Sequence, residues 1–286
     1  MKKQIIISNK ITLRIVFLLL ILVMTVNNSY SQSCDLIQNG SFEDRSGCPN
    51  SVSTPASDKL DLLSNWEAPT DATSDYYACS YHGGFGAQQP RTGNGYVGIM
   101  LVASNNWREY IHQQLICPMD SGETYQVSFY WSAADLSQFE TDGLGVLFTT
   151  TSVNSSTTQP LPYTPQLSNP SGNRLSNTTG WEIISQTLTA DNNYSHITIG
   201  NFLYDTSIVI NQLVPSISLI PQIMHAYLYI DDVSVVCLTC DVITAGIDDS
   251  INLCTGGSPI DLFNVLGGTP DTAVSYTHLT LPTSPK

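Results

Sequence analysis

The stretch Glu123-Thr124-Tyr125-Gln126-Val127-Ser128-Phe129-Tyr130-Trp131 alternates strictly. Tyr125, Val127, Phe129 and Trp131 fall on one face, and Thr124, Gln126, Ser128 and Tyr130 on the other. That is the period of a half-buried β-strand. Working outward, Trp107–Leu115, Gly143–Thr150, Trp181–Thr189, His196–Phe202 and Ala226–Cys237 read the same way, and Gly95–Leu101 is a continuous apolar run. Turn residues separate them, as in Arg91-Thr-Gly-Asn-Gly95 and Asp120-Ser-Gly122. Thr151–Asn177 is polar and proline-rich and reads as a long loop, and Asp205–Pro221 as another excursion. Helical periodicity is almost absent, which argues against a parallel α/β sheet. About eight antiparallel strands over about 200 residues point to an all-β fold, an antiparallel jelly-roll β-sandwich.

The ends read differently. Lys2, Lys3, Lys10 and Arg14 precede the apolar run Ile15–Val26, and Ser29-Tyr-Ser31 supplies small residues before Gln32. Residues 1–31 therefore read as a secretory signal peptide, too short in its apolar part to span a membrane comfortably. The mature fragment is expected to have no transmembrane segment and to be secreted or held at the extracellular cell surface. A boundary falls near Cys240: residues 32–238 form the main domain and 239–272 a linker and the truncated start of a second β module. At the far end, Val274–Thr283 resembles a translated sequencing adapter, so 273–286 reads as an artefact that cuts the gene short.

Charge narrows the function. Only 12% of residues are charged, against a usual share of about 25%. Between Gln32 and Pro270 five basic residues oppose 23 acidic ones, a net charge of −18. A nucleic-acid partner needs a basic face and is excluded; adhesion to anionic lipid is disfavoured. Catalytic signatures are missing: there is no G-x-S-x-G elbow, H-E-x-x-H or P-loop. A carboxylate pair such as Glu109 with Glu123 or Asp135 remains open, but nothing singles one out. Seven cysteines suit an oxidising compartment. Cys237-Leu-Thr-Cys240 lacks the second ligand pair of a zinc site and the helix of a redox site.

Three sets of residues then combine. Gln38-Asn39-Gly40-Ser41-Phe42-Glu43 opens the domain and Tyr229-Ile-Asp231-Asp232-Val-Ser-Val235 closes it. Between them come Trp66, Asp75-Tyr-Tyr-Ala-Cys79, Gly95-Tyr-Val-Gly98, Arg108-Glu-Tyr-Ile111 and Ile199-Gly-Asn-Phe202. In this order they resemble the galactose-binding-like, carbohydrate-binding-module type of jelly roll. The full set is similar to the N-terminal domain of Bacteroidetes surface and gliding-motility-associated proteins. The segment after Cys240 is similar to the first of the Ig-like repeats that follow in such adhesins. The resemblance implies a non-catalytic binding module for an extracellular glycan, exported by type IX secretion. Two alternatives stay open: a structural or adhesive domain with a surface-protein partner and no sugar site, or an accessory domain of a polysaccharide hydrolase.

Site expectations follow. If the first and last strands lie side by side, Glu43 and Asp231 meet, and with carbonyls near Asn39 they make an oxygen cage for calcium (Ca2+), with Asp232 as substitute. The resemblance implies that this metal is structural; the plainer alternative is ordinary turn carboxylates. The resemblance also implies a Cys48–Cys79 disulfide, and a Cys34–Cys237 bridge is geometrically possible. A sugar face needs aromatic platforms and planar hydrogen-bonding groups. Arg108, Tyr110 and His112 share one face of their strand with Gln114, and Tyr130 lies on a comparable face of its own. Tyr76, Tyr77, Tyr81 and His82 are weaker loop candidates. Arg108 could instead be a buried ion-pair partner, and Trp66, Trp131 and Trp181 are expected in the core.

Overall fold

The computed structural model describes residues 35–49, 60–81, 84–86, 88–213 and 225–239. The signal-like segment, Cys34, His82, the second module and the adapter-like tail lie outside the described residues. Eleven strands are described: β1 (Asp75–Ala78), β2 (Gly95–Ala103), β3 (Tyr110–Gln114), β4 (Thr124–Ala133), β5 (Phe139–Thr141), β6 (Gly145–Thr149), β7 (Leu167–Ser168), β8 (Glu182–Thr189), β9 (His196–Gly200), β10 (Ile210–Gln212) and β11 (His225–Cys237).

A five-stranded sheet runs β1-β2-β11-β4-β8 and a four-stranded sheet β3-β9-β6-β7, with β10-β5 a small two-stranded pair. Every described strand pair is antiparallel. Set aside β1 and the small pair, and number the other eight strands in chain order. One sheet then reads first-eighth-third-sixth and the other second-seventh-fourth-fifth. The chain changes sheet at nearly every step, which is the double Greek-key wrap of a jelly roll. The all-β jelly-roll expectation holds.

Alternation builds the core. Tyr125, Val127, Phe129 and Trp131 of β4 join Val97, Ile99 and Leu101 of β2 and Leu228, Ile230 and Val235 of β11. Ile111, Val146, Phe148, Ile197 and Ile199 complete the cluster from the four-stranded sheet. Trp66 and Trp131 are buried in it as expected. Trp181 is not; it packs against a second cluster on the outer side of the five-stranded sheet. β2 is buried on both faces, which is why its sequence runs apolar instead of alternating.

The opening segment lies along the last strand. Asp35 bridges Val236, Leu36 N–H donates to Val235 O at 2.8 Å and Val233 N–H to Gly40 O at 2.9 Å. A Cβ on Gly40 would stand 2.1 Å from Val233 O, so this approach requires glycine. Cys48 and Cys79 form a disulfide, with Cα atoms 5.8 Å apart. Cys117 and Cys237 each belong to a disulfide as well; their partners, and with them the expected Cys34 bridge, lie outside the described residues.

Candidate functional site

The outer face of the five-stranded sheet follows from register. Directly paired residues share a face, so Tyr130 lies beside Ile183, Ser128 beside Ser185 and Gln126 beside Thr187. On β11, Asp231 pairs with Tyr130 and Ser234 with Ser128 across a bulge. Gln126 Nε2 donates to Ser185 Oγ at 2.8 Å. These side chains make a floor of hydroxyls and amides at the β4–β8 end of the sheet, half-exposed or exposed. Ile183, 52% exposed, shows how open this end is.

Aromatic groups stand at one end of that floor. The Arg91 guanidinium lies 3.5 Å over the centroid of the Tyr130 ring. Trp181 Nε1 donates to Gln89 O at 2.8 Å, and its ring meets Tyr96 edge-on at 5.8 Å. Arg91 is itself held: its Nη1 donates to Asp232 Oδ2 at 2.5 Å and its N–H to Asp231 Oδ2 at 2.9 Å. A platform, a fixed guanidinium and a row of small polar groups can bind a flat, neutral, hydroxyl-rich ligand.

The other expected ligand residues are not on such a face. Arg108 has no exposed side-chain surface; its Nε and Nη2 donate to Leu203 O at 3.2 and 2.9 Å, and Nη2 to Asp205 Oδ1 at 2.5 Å. Tyr110 OH donates to Asn201 O at 2.6 Å and accepts from Leu161 N–H at 3.0 Å. His112 Nδ1 lies 2.8 Å from Thr198 Oγ1 and Nε2 3.2 Å from Ser152 Oγ. Burial holds the His112 pKa down at about 4, so the ring is neutral. The alternation was right and the exposure wrong, because the loop after β6 folds over this face and seats Val153 and Leu161 on Tyr110. Arg108 is the buried ion-pair partner. Tyr76 points into the main core and bonds Phe42 O, while Tyr77 lies buried on the outer face. Near β3 a polar pocket of about 430 Å³ opens between Gln38, Trp66, Glu67, Gln114 and His196. Its amides already bond one another, Asn65 Nδ2 donating to Gln38 Oε1.

The calcium candidates converge on one turn. Glu43 Oε1 accepts from the N–H groups of Asn94 (2.6 Å) and Gly95 (2.7 Å), and Asp231 Oδ2 from those of Arg91 (2.9 Å) and Thr92 (3.3 Å). Glu43 and Asp231 thus grip the same five-residue segment from two ends. Burial, with Asp232 adjacent, pushes the Asp231 carboxyl up to about 7. Glu43 Oε2 has only weak contacts, at 3.4 Å from Asn94 Nδ2 and 3.9 Å from Arg45 Nη1. Asp231 Oδ1 accepts from Asp232 N–H. Both Asp231 oxygens and Glu43 Oε1 are thus engaged by N–H donors, which leaves Glu43 Oε2 as the carboxylate oxygen most open to a hard cation. Asp232 is taken by Arg91 and by Thr92 Oγ1 at 2.6 Å. Asn39 is also committed, its side chain bracing Asp44 and Ser64. Among the described residues no group of three or more His, Cys, Asp or Glu side chains is placed to hold a metal.

Glu109, weighed above with Glu123 or Asp135, is buried beside Asp75. Its Oε2 accepts from Met100 N–H at 2.8 Å, and desolvation, with Asp75 nearby, pushes its pKa up to about 8. Glu123 instead accepts from Thr239 Oγ1 on the surface. No sequence signal pointed to the Trp181–Arg91 rim, although both residues flank turns that the sequence does show.

No protein-family model and no curated protein matches the sequence. Solved structures that resemble it include a CBM4 module, 16% identical over 70% of this chain and 99% of that one, with a TM-score of 0.35. The CBM22-1 xylan-binding domain of Paenibacillus barcinonensis Xyn10C is 8% identical over 73% and 97%, at 0.37. A Stig cyclase from Fischerella sp. TAU is 12% identical over 72% and 98%, also at 0.37. Two of these three are carbohydrate-binding modules and one is an enzyme. Among the described residues no helix is long and apolar enough to cross a membrane.

Proposed function

We propose that the chain is a non-catalytic glycan-binding module that takes its ligand on the outer face of the five-stranded sheet. One observation carries the reading: Tyr130 under Arg91, with Trp181 beside them, leads onto an open floor of Gln126, Ser128, Ser185 and Thr187. Aromatic platforms supply apolar contact to a sugar ring, and amides and hydroxyls bond its hydroxyl groups. The motifs shared with carbohydrate-binding jelly rolls support the same reading. The acidic surface favours a neutral or basic ligand over an anionic polysaccharide.

The wider setting belongs to the proposal. The signal-like N-terminus and the Cys48–Cys79 disulfide support export to an oxidising compartment. The adhesin context, gliding motility and type IX secretion rest on the sequence resemblance, as does a Bacteroidetes origin. A structural calcium held by Glu43 and Asp231 is proposed on the sequence resemblance and on the approach of both carboxylates to the Arg91–Gly95 turn; bound there, it would cross-link the first and last segments of the domain. A glycan array probed with the whole chain tests the central point. Binding that soluble oligosaccharide competes away, and that Tyr130→Ala abolishes, is expected. Silence would leave the protein-partner alternative.

A further inference from the structure

The outer face of the five-stranded sheet is open only at the β4–β8 end. Toward β1 it carries Tyr77, Tyr96, Tyr227 and Tyr229, all buried. Tyr77 and Tyr96 stack at 5.0 Å with 2° between planes, and Tyr229 meets each edge-on at 5.1 Å. What covers them is the chain itself. Phe85 lies flat on Tyr227, 4.1 Å between centroids and 13° between planes. Gln88 N–H donates to Tyr96 OH at 3.0 Å, and Gln88 Nε2 to Ser132 Oγ at 2.9 Å. Gln89 O receives Trp181 Nε1, so the cover is pinned to the rim of the proposed glycan face.

The four tyrosines are an odd choice for a core. Each brings a hydroxyl that must find a partner once buried. Tyr227 OH donates to Asp75 Oδ2 at 2.8 Å and Tyr77 OH to Tyr227 OH at 3.3 Å. Tyr229 OH, fully buried, has no hydrogen-bond partner among the described residues. A leucine or phenylalanine would fill the same space with no orphaned group. Flat rings with hydroxyls between them instead make a surface complementary to a sugar.

Resting on the glycan reading above, we propose that this tyrosine cluster is the inner half of the same site, and that Phe85 fills it in place of a pyranose ring. A ring parallel to Tyr227 at about 4 Å stands where a stacked sugar would stand. Gln88 supplies polar contacts that sugar hydroxyls would replace, and Tyr229 OH is the group such a ligand would satisfy. A long glycan then binds by displacing Phe85, and its apparent affinity is lowered by the fraction of molecules in which the cluster is covered.

The test is calorimetric titration of cellohexaose and xylohexaose into the whole chain and its Phe85→Ala and Gln88→Ala variants, with circular dichroism as a check of the fold. The expected result is binding of a hexaose that tightens about fivefold or more in Phe85→Ala and moves the same way in Gln88→Ala. Gln88→Ala removes one side-chain hydrogen bond and keeps the proposal testable if Phe85→Ala fails to fold. Affinity unchanged or weakened in the folded variants overturns the inference and leaves the glycan reading standing. Silence of all three chains toward both hexaoses overturns it as well, and a silent glycan array alongside removes the glycan reading itself.

Discussion

Tyr130 and Tyr110 occupy equivalent positions in alternating strands, yet only Tyr130 faces an open surface. Tyr130 pairs with Ile183 on the edge strand β8 and stays half-exposed, although Arg91, from the loop before β2, lies 3.5 Å over its ring. Tyr110 lies under Leu161, delivered by the long loop after β6. Alternation tells which face a side chain takes; it does not tell what folds over that face. The same limit explains Arg108, whose guanidinium is spent on Leu203 and Asp205. Glu109 gives a prediction at this scale. Its folded pKa of about 8 lies above its ordinary 4.5, so the folded state binds the proton more tightly. Its contribution is complete below pH 4.5 and is lost as pH rises through 8. His112, held at about 4, acts only at lower pH and with the opposite sign. Between pH 6.5 and 8 the wild-type chain should therefore lose about 1–2 kcal/mol relative to Glu109→Gln. Urea denaturation of both across that range checks it; parallel curves would contradict the buried-acid account.

At the scale of elements, the Arg91–Gly95 turn is the joint of the site. It carries the guanidinium over Tyr130 and is gripped by Glu43 and Asp231. Gly93 sits at φ +58°, and a Cβ there would stand 2.4 Å from the Glu43 Cδ. Gly93→Ala should thus cost about 2 kcal/mol or more, read as a fall in the urea midpoint at unchanged slope. The turn was visible in the sequence as Thr-Gly-Asn-Gly, but its two carboxylate clamps come from residues about 50 and 140 positions away. The disulfide Cys48–Cys79 spans a separation of 31 residues. Cys48→Ser should cost about 3–4 kcal/mol in the chain-entropy account, measured by the same titration in non-reducing buffer. A loss under 1 kcal/mol would show that the reduced chain keeps that loop closed in some other way.

The described residues form a jelly roll whose strand identities were largely legible: β4, β6, β8, β9 and β11 coincide with alternating stretches of sequence, and β2 with a continuous apolar run, because both its faces are buried. The placement of Trp181 was not legible, since an aromatic in a strand fits either face of a sheet. A net charge of −18 across the main segments means that carboxylate repulsion opposes compactness. A structural calcium would relieve some of it. With calcium a hundredfold above its dissociation constant, stability should rise by about 2.7 kcal/mol, or several degrees in Tm. The comparison is excess calcium against chelator, with Glu43→Gln expected to erase the shift. An identical Tm in both conditions would remove the site.

The central claim is that a glycan binds the outer face of the five-stranded sheet and not the opposite side of the molecule. The direct measurement is titration of the best array ligand into wild type, Tyr130→Ala and Glu67→Ala, the last lining the pocket near β3. Loss of at least about tenfold in Tyr130→Ala, some 1.4 kcal/mol, with Glu67→Ala unchanged, is the predicted result. Undiminished binding by Tyr130→Ala, or loss confined to Glu67→Ala, would contradict it.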